Sequence, residues 1–181
     1  MAGSLSLSYP YSVSAWVASS VSLGVSEEFI AGLGSATQDA FAGAVYSSNG
    51  NNKKIAYDRS VATGTVPGDK STSPNLSTSF QLMVVRFTSS TYREVAFGDN
   101  TFAGDTSTSI SQNFSHFDRF TIGCARRSAG LLLPTQGTIC EVHIYGAALT
   151  SGNFTTLLTT KPDGGGIASW VDGWHLTAHR L

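Results

Sequence analysis

Apolar residues come in short runs, broken by Gly, Asn, Pro and Asp roughly every ten residues, the rhythm of short antiparallel strands joined by turns. Tyr11 to Ser19 (YSVSAWVAS) is apolar in both phases of a two-residue period, as in a strand buried on both faces. Phe29 to Leu33, Phe41 to Tyr46 and Ile55 to Ala62 follow as shorter strands, the last two parted by the turn-rich SSNGNNKK. Gly64 to Ser79 holds Pro67-Gly68-Asp69 and Pro74-Asn75, so it predicts a polar loop, because proline cannot donate to a strand ladder. Phe80 to Phe87 (FQLMVVRF) predicts a central strand, Tyr92 to Gly98 its neighbour and Phe102 to Ile110 a Thr/Ser-rich edge strand. Phe120 to Ala125, Thr138 to Tyr145 and Ile167 to Leu176 complete the set. A helical period occurs in Thr150 to Leu158, where Thr150 can cap the first turn and Phe154, Leu157 and Leu158 share a face. The pattern predicts an all-β, antiparallel β-sandwich with one short helical turn near 150–158, in a single domain over residues 1–181. Its core is expected to include Trp16, Leu82, Val84, Ile122, Ile139, Val142 and Ile144.

Composition narrows the function classes. Hydrophobic residues make up 41% of the 181 residues and charged residues only 13%, about half the usual charged share. A net charge of -1 offers no electrostatic case for nucleic acid or an anionic membrane. The basic pairs Lys53-Lys54 and Arg126-Arg127 sit in turn-like contexts and are expected to be solvated loop charges. No run of ~18 apolar residues could span a bilayer. The first residues, MAGSLSLSYPYSVSAW, lack the basic and continuously apolar regions of a secretory signal, which favours synthesis in a cytoplasm. Cys124 and Cys140 lie in phase with core-facing positions on two strands. They could form a disulfide or be two buried free thiols, and the missing export signal favours the thiols. The sequons at Asn75, Asn113 and Asn153 are expected by chance in so Ser/Thr-rich a chain.

One block carries a family resemblance. Gly137, Ile139, Glu141, Val142, Ile144, Tyr145, Ala148, Leu149 and Thr150 match a "G-x-I-D-E-V-R-I-Y-N-x-A-L-S" segment, preceded by a Thr121-Ile122-Gly123 strand end. The chain therefore resembles the laminin-G-like, concanavalin A-like jelly rolls. Trp16 matches the tryptophan of their early strand, while Phe80 stands where tryptophan is usual. The resemblance implies a jelly roll used for recognition or attachment, with glycans or proteins as ligands and a last strand returning near the chain start. Some members are β-glucanases, whose paired carboxylates lie on one strand as E-x-D-x-E. That pattern is absent: none of Glu27, Glu28, Glu94 and Glu141 has an acid two residues away. Cys140 replaces the Asp of the family's "D-E-V" unit. No G-x-S-x-G is present, and His116, His143, His175 and His179 lack metal-ligand spacing. No cofactor is expected. Calcium would need oxygen-rich loops such as Asp99-Asn100 with Asp105, or Asp69 with Asn75, but such clusters are also ordinary turn chemistry.

Glycan binding needs an exposed aromatic and hydrogen-bonding neighbours, and Tyr46, Asn49, Asn51, Tyr57, Asp58 and Arg59 supply such a set around one predicted hairpin. The competing reading of Tyr57 with Asp58-Arg59 is a cross-strand pair. Low charge, hydroxyl-rich surface and the absent signal favour a non-catalytic structural or adhesive domain. The form expected is a virion component made in the host cytoplasm, a bacteriophage capsid-decoration or tail-associated protein. Its partners would be capsid or tail subunits and cell-surface glycans, bound multivalently in an oligomer or on a particle. The alternative is a lectin-like glycan-binding module of an extracellular protein, and a diverged glycoside hydrolase comes third.

Overall fold

A computed structural model of the protein describes residues 7–18, 27–47, 53–60, 64–66, 70–71, 79–105, 113–135 and 137–159. In chain order the strands are β1 (Tyr11–Ala18), β2 (Glu27–Gly34), β3 (Phe41–Ser47), β4 (Lys53–Ser60), β5 (Gly64–Val66), β6 (Lys70–Ser71) and β7 (Gln81–Phe87). They continue as β8 (Arg93–Phe97), β9 (Ala103–Asp105), β10 (Arg119–Ile122), β11 (Ala125–Arg127), β12 (Gly130–Leu132) and β13 (Thr138–Tyr145), followed by helix α1 (Ser151–Thr159). All pairings are antiparallel. One sheet runs β13-β1-β7-β8-β9; the other runs β10-β2-β3-β4-β5, with β6 also on β4; β11 and β12 form a small third sheet. The two large sheets pack face to face as a concanavalin-like jelly-roll sandwich. The expected strands over 11–19, 29–33, 41–46, 55–62, 80–87, 92–98 and 138–145 are all present, with ends shifted by a few residues. The expected strand over 167–176 lies outside the described residues.

Both phases of β1 are buried because it has protein on both sides. Tyr11, Val13, Ala15 and Val17 face the interior, where they meet Ile30 and Leu33 of β2, Ala42 and Ala44 of β3, Met83, Val85 and Phe87 of β7, and Val142 of β13. Trp16 faces outward with Leu82, Val84 and Ala96 into a second apolar cluster closed by Leu149 and Phe154. Trp16, Leu82 and Val84 are thus buried as expected, but under α1 rather than between the sheets. Ile122, Ile139 and Ile144 are only partly buried against the main core. The reason is position. Among the described residues β10 and β13 are the end strands of their sheets, and each is flanked on one side only.

Helix α1 is nine residues long, short enough that packing must hold it. Its start is a reciprocal capping box. The Thr150 hydroxyl accepts from Asn153 N at 3.1 Å, and Asn153 Oδ1 accepts from Thr150 N at 2.9 Å. Ser12, on the helix-facing side of β1, is fully buried yet satisfied. Its hydroxyl donates to the Ala147 carbonyl at 2.8 Å and accepts from Leu149 N at 2.9 Å.

The far face of the other sheet is apolar as well. Phe29, Phe41, Val45, Ile55 and Tyr57 cluster there with Ala125, Leu132 and Leu133 of the β11–β12 hairpin and its flank. The cross-strand pair Gly32 and Gly43 makes room for the Phe29 ring. A Cβ on Gly43 would lie 2.3 Å from the Ala31 carbonyl oxygen and 2.7 Å from Phe29 Cζ.

The interior holds charge. Lys54 is fully buried, with Nζ 4.9 Å from the Phe97 ring centroid and 5.9 Å from that of Tyr46. Asp58 and Arg93, also buried, pair across the two sheets at 3.5 Å, and the Tyr9 hydroxyl lies 3.4 Å from the same Asp58 oxygen.

Two measurements follow from this packing. Gly43→Ala is expected to cost about 1–3 kcal/mol, the range for overpacking a filled site, and to lower Tm by several degrees; an unchanged Tm would contradict the close approach. The second concerns Lys54, whose burial lowers its ammonium from the ordinary 10.5 to about 8. Between those values the unfolded chain binds more protons than the folded one, so stability rises with pH from about 8 toward 10. Above about pH 10 it falls again, because burial holds the Tyr9 and Tyr11 hydroxyls above their ordinary value. Urea titrations at stepped pH should show the rise, and Lys54→Met should remove it.

Candidate functional site

The strand period divides the residues that the sequence grouped. Tyr46 and Asp58 point into the sandwich and are buried, Asp58 completely. There Asp58 meets Arg93 and Tyr9 rather than solvent. Tyr57 points to the opposite face and lies parallel to Phe41, ring centroids 5.3 Å apart at 4°. Its ring is therefore stacked on protein, as in the cross-strand reading. Asn49 and Asn51 lie outside the described residues. Of the four that are described, Arg59 alone reaches a polar, partly exposed surface.

That surface is built around the turn between β2 and β3. The turn is tied down locally: Ser35 Oγ accepts from Thr37 N at 3.3 Å and from Gln38 N at 3.0 Å, and Asp118 carboxylate oxygens accept from Ala36 N at 3.2 and 3.3 Å. The β11 strand is stitched alongside, with Ser35 N donating to the Arg126 carbonyl at 3.0 Å and Ser128 N to the Gln38 carbonyl at 2.9 Å. These bonds bring Asp39 between two guanidiniums from distant parts of the chain. Arg59 Nε donates to Asp39 Oδ1 at 3.0 Å and its NH2 group to Oδ2, the two-pronged fork that guanidinium makes with carboxylate. Arg127 NH1 donates to Oδ1 at 3.2 Å. Side-chain exposure is 19% for Arg59, 30% for Arg127 and 37% for Asp39. The Arg59 hydrogen bonds, then those of Arg127, hold the Asp39 carboxyl below its usual range. The cluster carries one net positive charge and a geometry that grips a carboxylate.

Asp39 and Arg127 went unrecognised in the sequence. Arg127 reads there as a solvated loop charge, and it stands 88 positions from Asp39. The usable signal was the period of two, which puts Arg59 on the opposite face from Asp58.

Three further candidates among the described residues are engaged in structural contacts. Glu94 is buried, bonded to Arg86 and accepting from the Tyr92 hydroxyl at 2.9 Å. Asp99 Oδ1 accepts from Thr101 N at 2.9 Å and Asn100 Nδ2 donates to Thr155 Oγ1 at 3.2 Å, both turn and packing roles. Among the described residues no three His, Cys, Asp or Glu side chains gather as metal ligands. Cys124 and Cys140 are free thiols. They belong to different sheets' surroundings, following β10 in one case and lying in β13 in the other. Burial pushes the Cys140 thiol up to about 11, with the Glu141 charge adding to it.

No protein-family model matches the chain, and no curated protein does either. Solved structures do resemble it. The CBM40 of the Ruminococcus gnavus IT-sialidase, bound to α2,3-sialyllactose, superposes with a TM-score of 0.64 at 9% identity, covering 83% of each chain. The leech intramolecular trans-sialidase gives a TM-score of 0.64 at 12% identity, and a Trypanosoma rangeli sialidase 0.59 at 20%. The chain spans only 23% and 24% of those two enzymes. At such identities the likeness establishes the sandwich fold.

If the Arg59–Asp39–Arg127 cluster is a site rather than a structural bolt, its loss should cost little stability. Arg127→Ala is expected to lower the unfolding free energy by under about 1 kcal/mol, as for other partly exposed ion pairs. Chemical denaturation checks this, and a loss of several kcal/mol would make the cluster structural.

Proposed function

We propose that the chain is a non-catalytic glycan-binding module that takes an acidic sugar at Arg59 and Arg127. The observation that carries this is the convergence of two guanidiniums, from β4 and β11, on one half-exposed carboxylate at the rim of the second sheet. A sugar carboxylate presents the same two oxygens. Paired arginines suit it because their planar forks are always charged and match it bidentately. Support comes from the fold likeness to a carbohydrate-binding module whose structure holds sialyllactose. Within the concanavalin-like class we place the chain nearest the laminin-G-like jelly rolls, on the Gly137 to Thr150 block.

The comparisons support this lectin-like reading better than the virion-component one, and lend nothing to a capsid or tail partner. Multivalent display accords with either setting, since a shallow rim site binds a single sugar weakly and repetition raises the effective concentration.

The test is titration of the chain with α2,3-sialyllactose and with lactose, followed by NMR shift changes at low ionic strength. Sialyllactose should bind with an affinity in the micromolar to millimolar range and lactose at least tenfold more weakly. Arg59→Ala should abolish the difference while leaving the fold intact. Equal response to both sugars would reject the acidic-sugar reading. Incubated with the same trisaccharide the chain should release no free sialic acid, since Glu94, the carboxylate on β8, is buried against Arg86 and Tyr92.

A further inference from the structure

We infer that Asp39 is an internal occupant of the anion seat, which a ligand carboxylate must displace, so that this residue sets both affinity and selectivity. The inference rests on the acidic-glycan reading above and adds a residue role to it. Asp39 occupies the place a bound carboxylate would take: its two oxygens receive the fork of Arg59, and Oδ1 also receives Arg127 NH1. It is the most exposed of the three side chains, so it is the one free to swing into solvent.

The backbone need not follow. The turn is pinned by Ser35 Oγ, by Asp118 and by the Ser128 N to Gln38 carbonyl bond, none of which involves the Asp39 side chain. The arginines stay as well. Arg59 is anchored on β4 opposite Phe41, and Arg127 lies on β11, its Nε buried.

Displacement then exchanges one carboxylate for another. A neutral sugar makes that exchange poorly, because its hydroxyls bring no charge to replace the carboxylate turned out, and charge-assisted hydrogen bonds are the stronger ones. Only an anionic ligand restores the contacts. Asp39 therefore weakens binding of every ligand by the strength of its own pairing, and screens out uncharged ones.

The experiment compares wild type, Asp39→Asn, Asp39→Ala and Asp118→Asn in titrations with α2,3-sialyllactose and lactose at one low ionic strength, with thermal unfolding of each variant alongside. Asp118→Asn removes the same charge nearby, from a carboxylate paired to Arg119, while its amide oxygen still accepts from Ala36 N and so keeps the turn. Both Asp39 variants are expected to bind sialyllactose roughly two- to fivefold more tightly, the equivalent of one partly exposed ion pair. Asp118→Asn should change it less than about twofold, and lactose, no longer screened out, should also bind more tightly in both Asp39 variants but not in Asp118→Asn. Binding by wild type that is unchanged or weaker in both Asp39 variants overturns the inference while leaving the acidic-glycan reading in place. Equal tightening in Asp118→Asn also overturns it, since net charge would then explain the effect. If no form binds sialyllactose, the inference and the reading beneath it fail together.

Discussion

The sandwich is organised around a charge pair in its interior. Asp58 of β4 and Arg93 of β8 meet between the two sheets, both buried, with the Tyr9 hydroxyl beside the same carboxylate oxygen. Removing two charges from water costs several kcal/mol per ion, and their attraction repays that only with good partners. Each charge is therefore a constraint on the other. A one-residue slip of β4 would carry Asp58 to the hairpin-covered face and break its pairing with Arg93. Apolar patterning resists such a slip less on β4 than on a strand with one wet face, because Ala56 is buried on one face and Ile55 and Tyr57 on the other. The pair thus ties the register of one sheet to that of the other, with the Tyr9 hydroxyl held beside the same carboxylate.

Register in turn decides what lies on the outer faces. With Asp58 inward, Tyr57 and Arg59 must face outward, Tyr57 into the apolar cluster beneath the β11–β12 hairpin and Arg59 to its rim. The same parity on β3 sends Phe41 outward beneath Tyr57, and the Gly32–Gly43 pair leaves the groove in which Phe29 lies. On the other sheet the alternation of β1 sends Trp16 under α1 and Tyr11 inward, stacked at 4.6 Å on Phe87. Four layers result: helix, sheet, sheet and hairpin. This layering explains a chain so apolar in both phases and so poor in charge, for each large sheet has a cover over part of its outer face.

The strands, the capped helix and the Gly137 to Thr150 block were legible because each depends on local signals: a period of two, a Thr-x-x-Asn cap, a turn glycine. The exceptions are instructive. Phe120 to Ala125 reads as one strand, yet Gly123, at a φ of 76°, ends β10 and hands the chain to β11 on a different sheet. No periodic signal marks such a transfer. The candidate site failed for a related reason. Tyr57, Asp58 and Arg59 are adjacent in sequence, and adjacency on a strand separates side chains to opposite faces. Grouping by neighbourhood joined residues that the fold keeps apart. Asp39, which does meet Arg59, and Arg127, which meets Asp39, are 20 and 88 positions from those partners.

Fold and function are specified here by different residues, which is why structural likeness at 9% identity can be strong for one and silent on the other. The sandwich needs buried strands, glycines where a ring crosses, and one interior ion pair. On the proposed reading, recognition depends instead on the β2–β3 turn and the tip of β11, segments whose backbone is fixed by Ser35, Asp118 and the bond between Ser128 and Gln38. Those bonds use main-chain atoms and turn-forming side chains, so the residues at positions 39, 59 and 127 can vary without disturbing the frame. A surface of that kind can change its ligand while the fold beneath it stays the same. On that reading the specificity of this chain is set by the charge balance of three side chains rather than by the sheets that carry them.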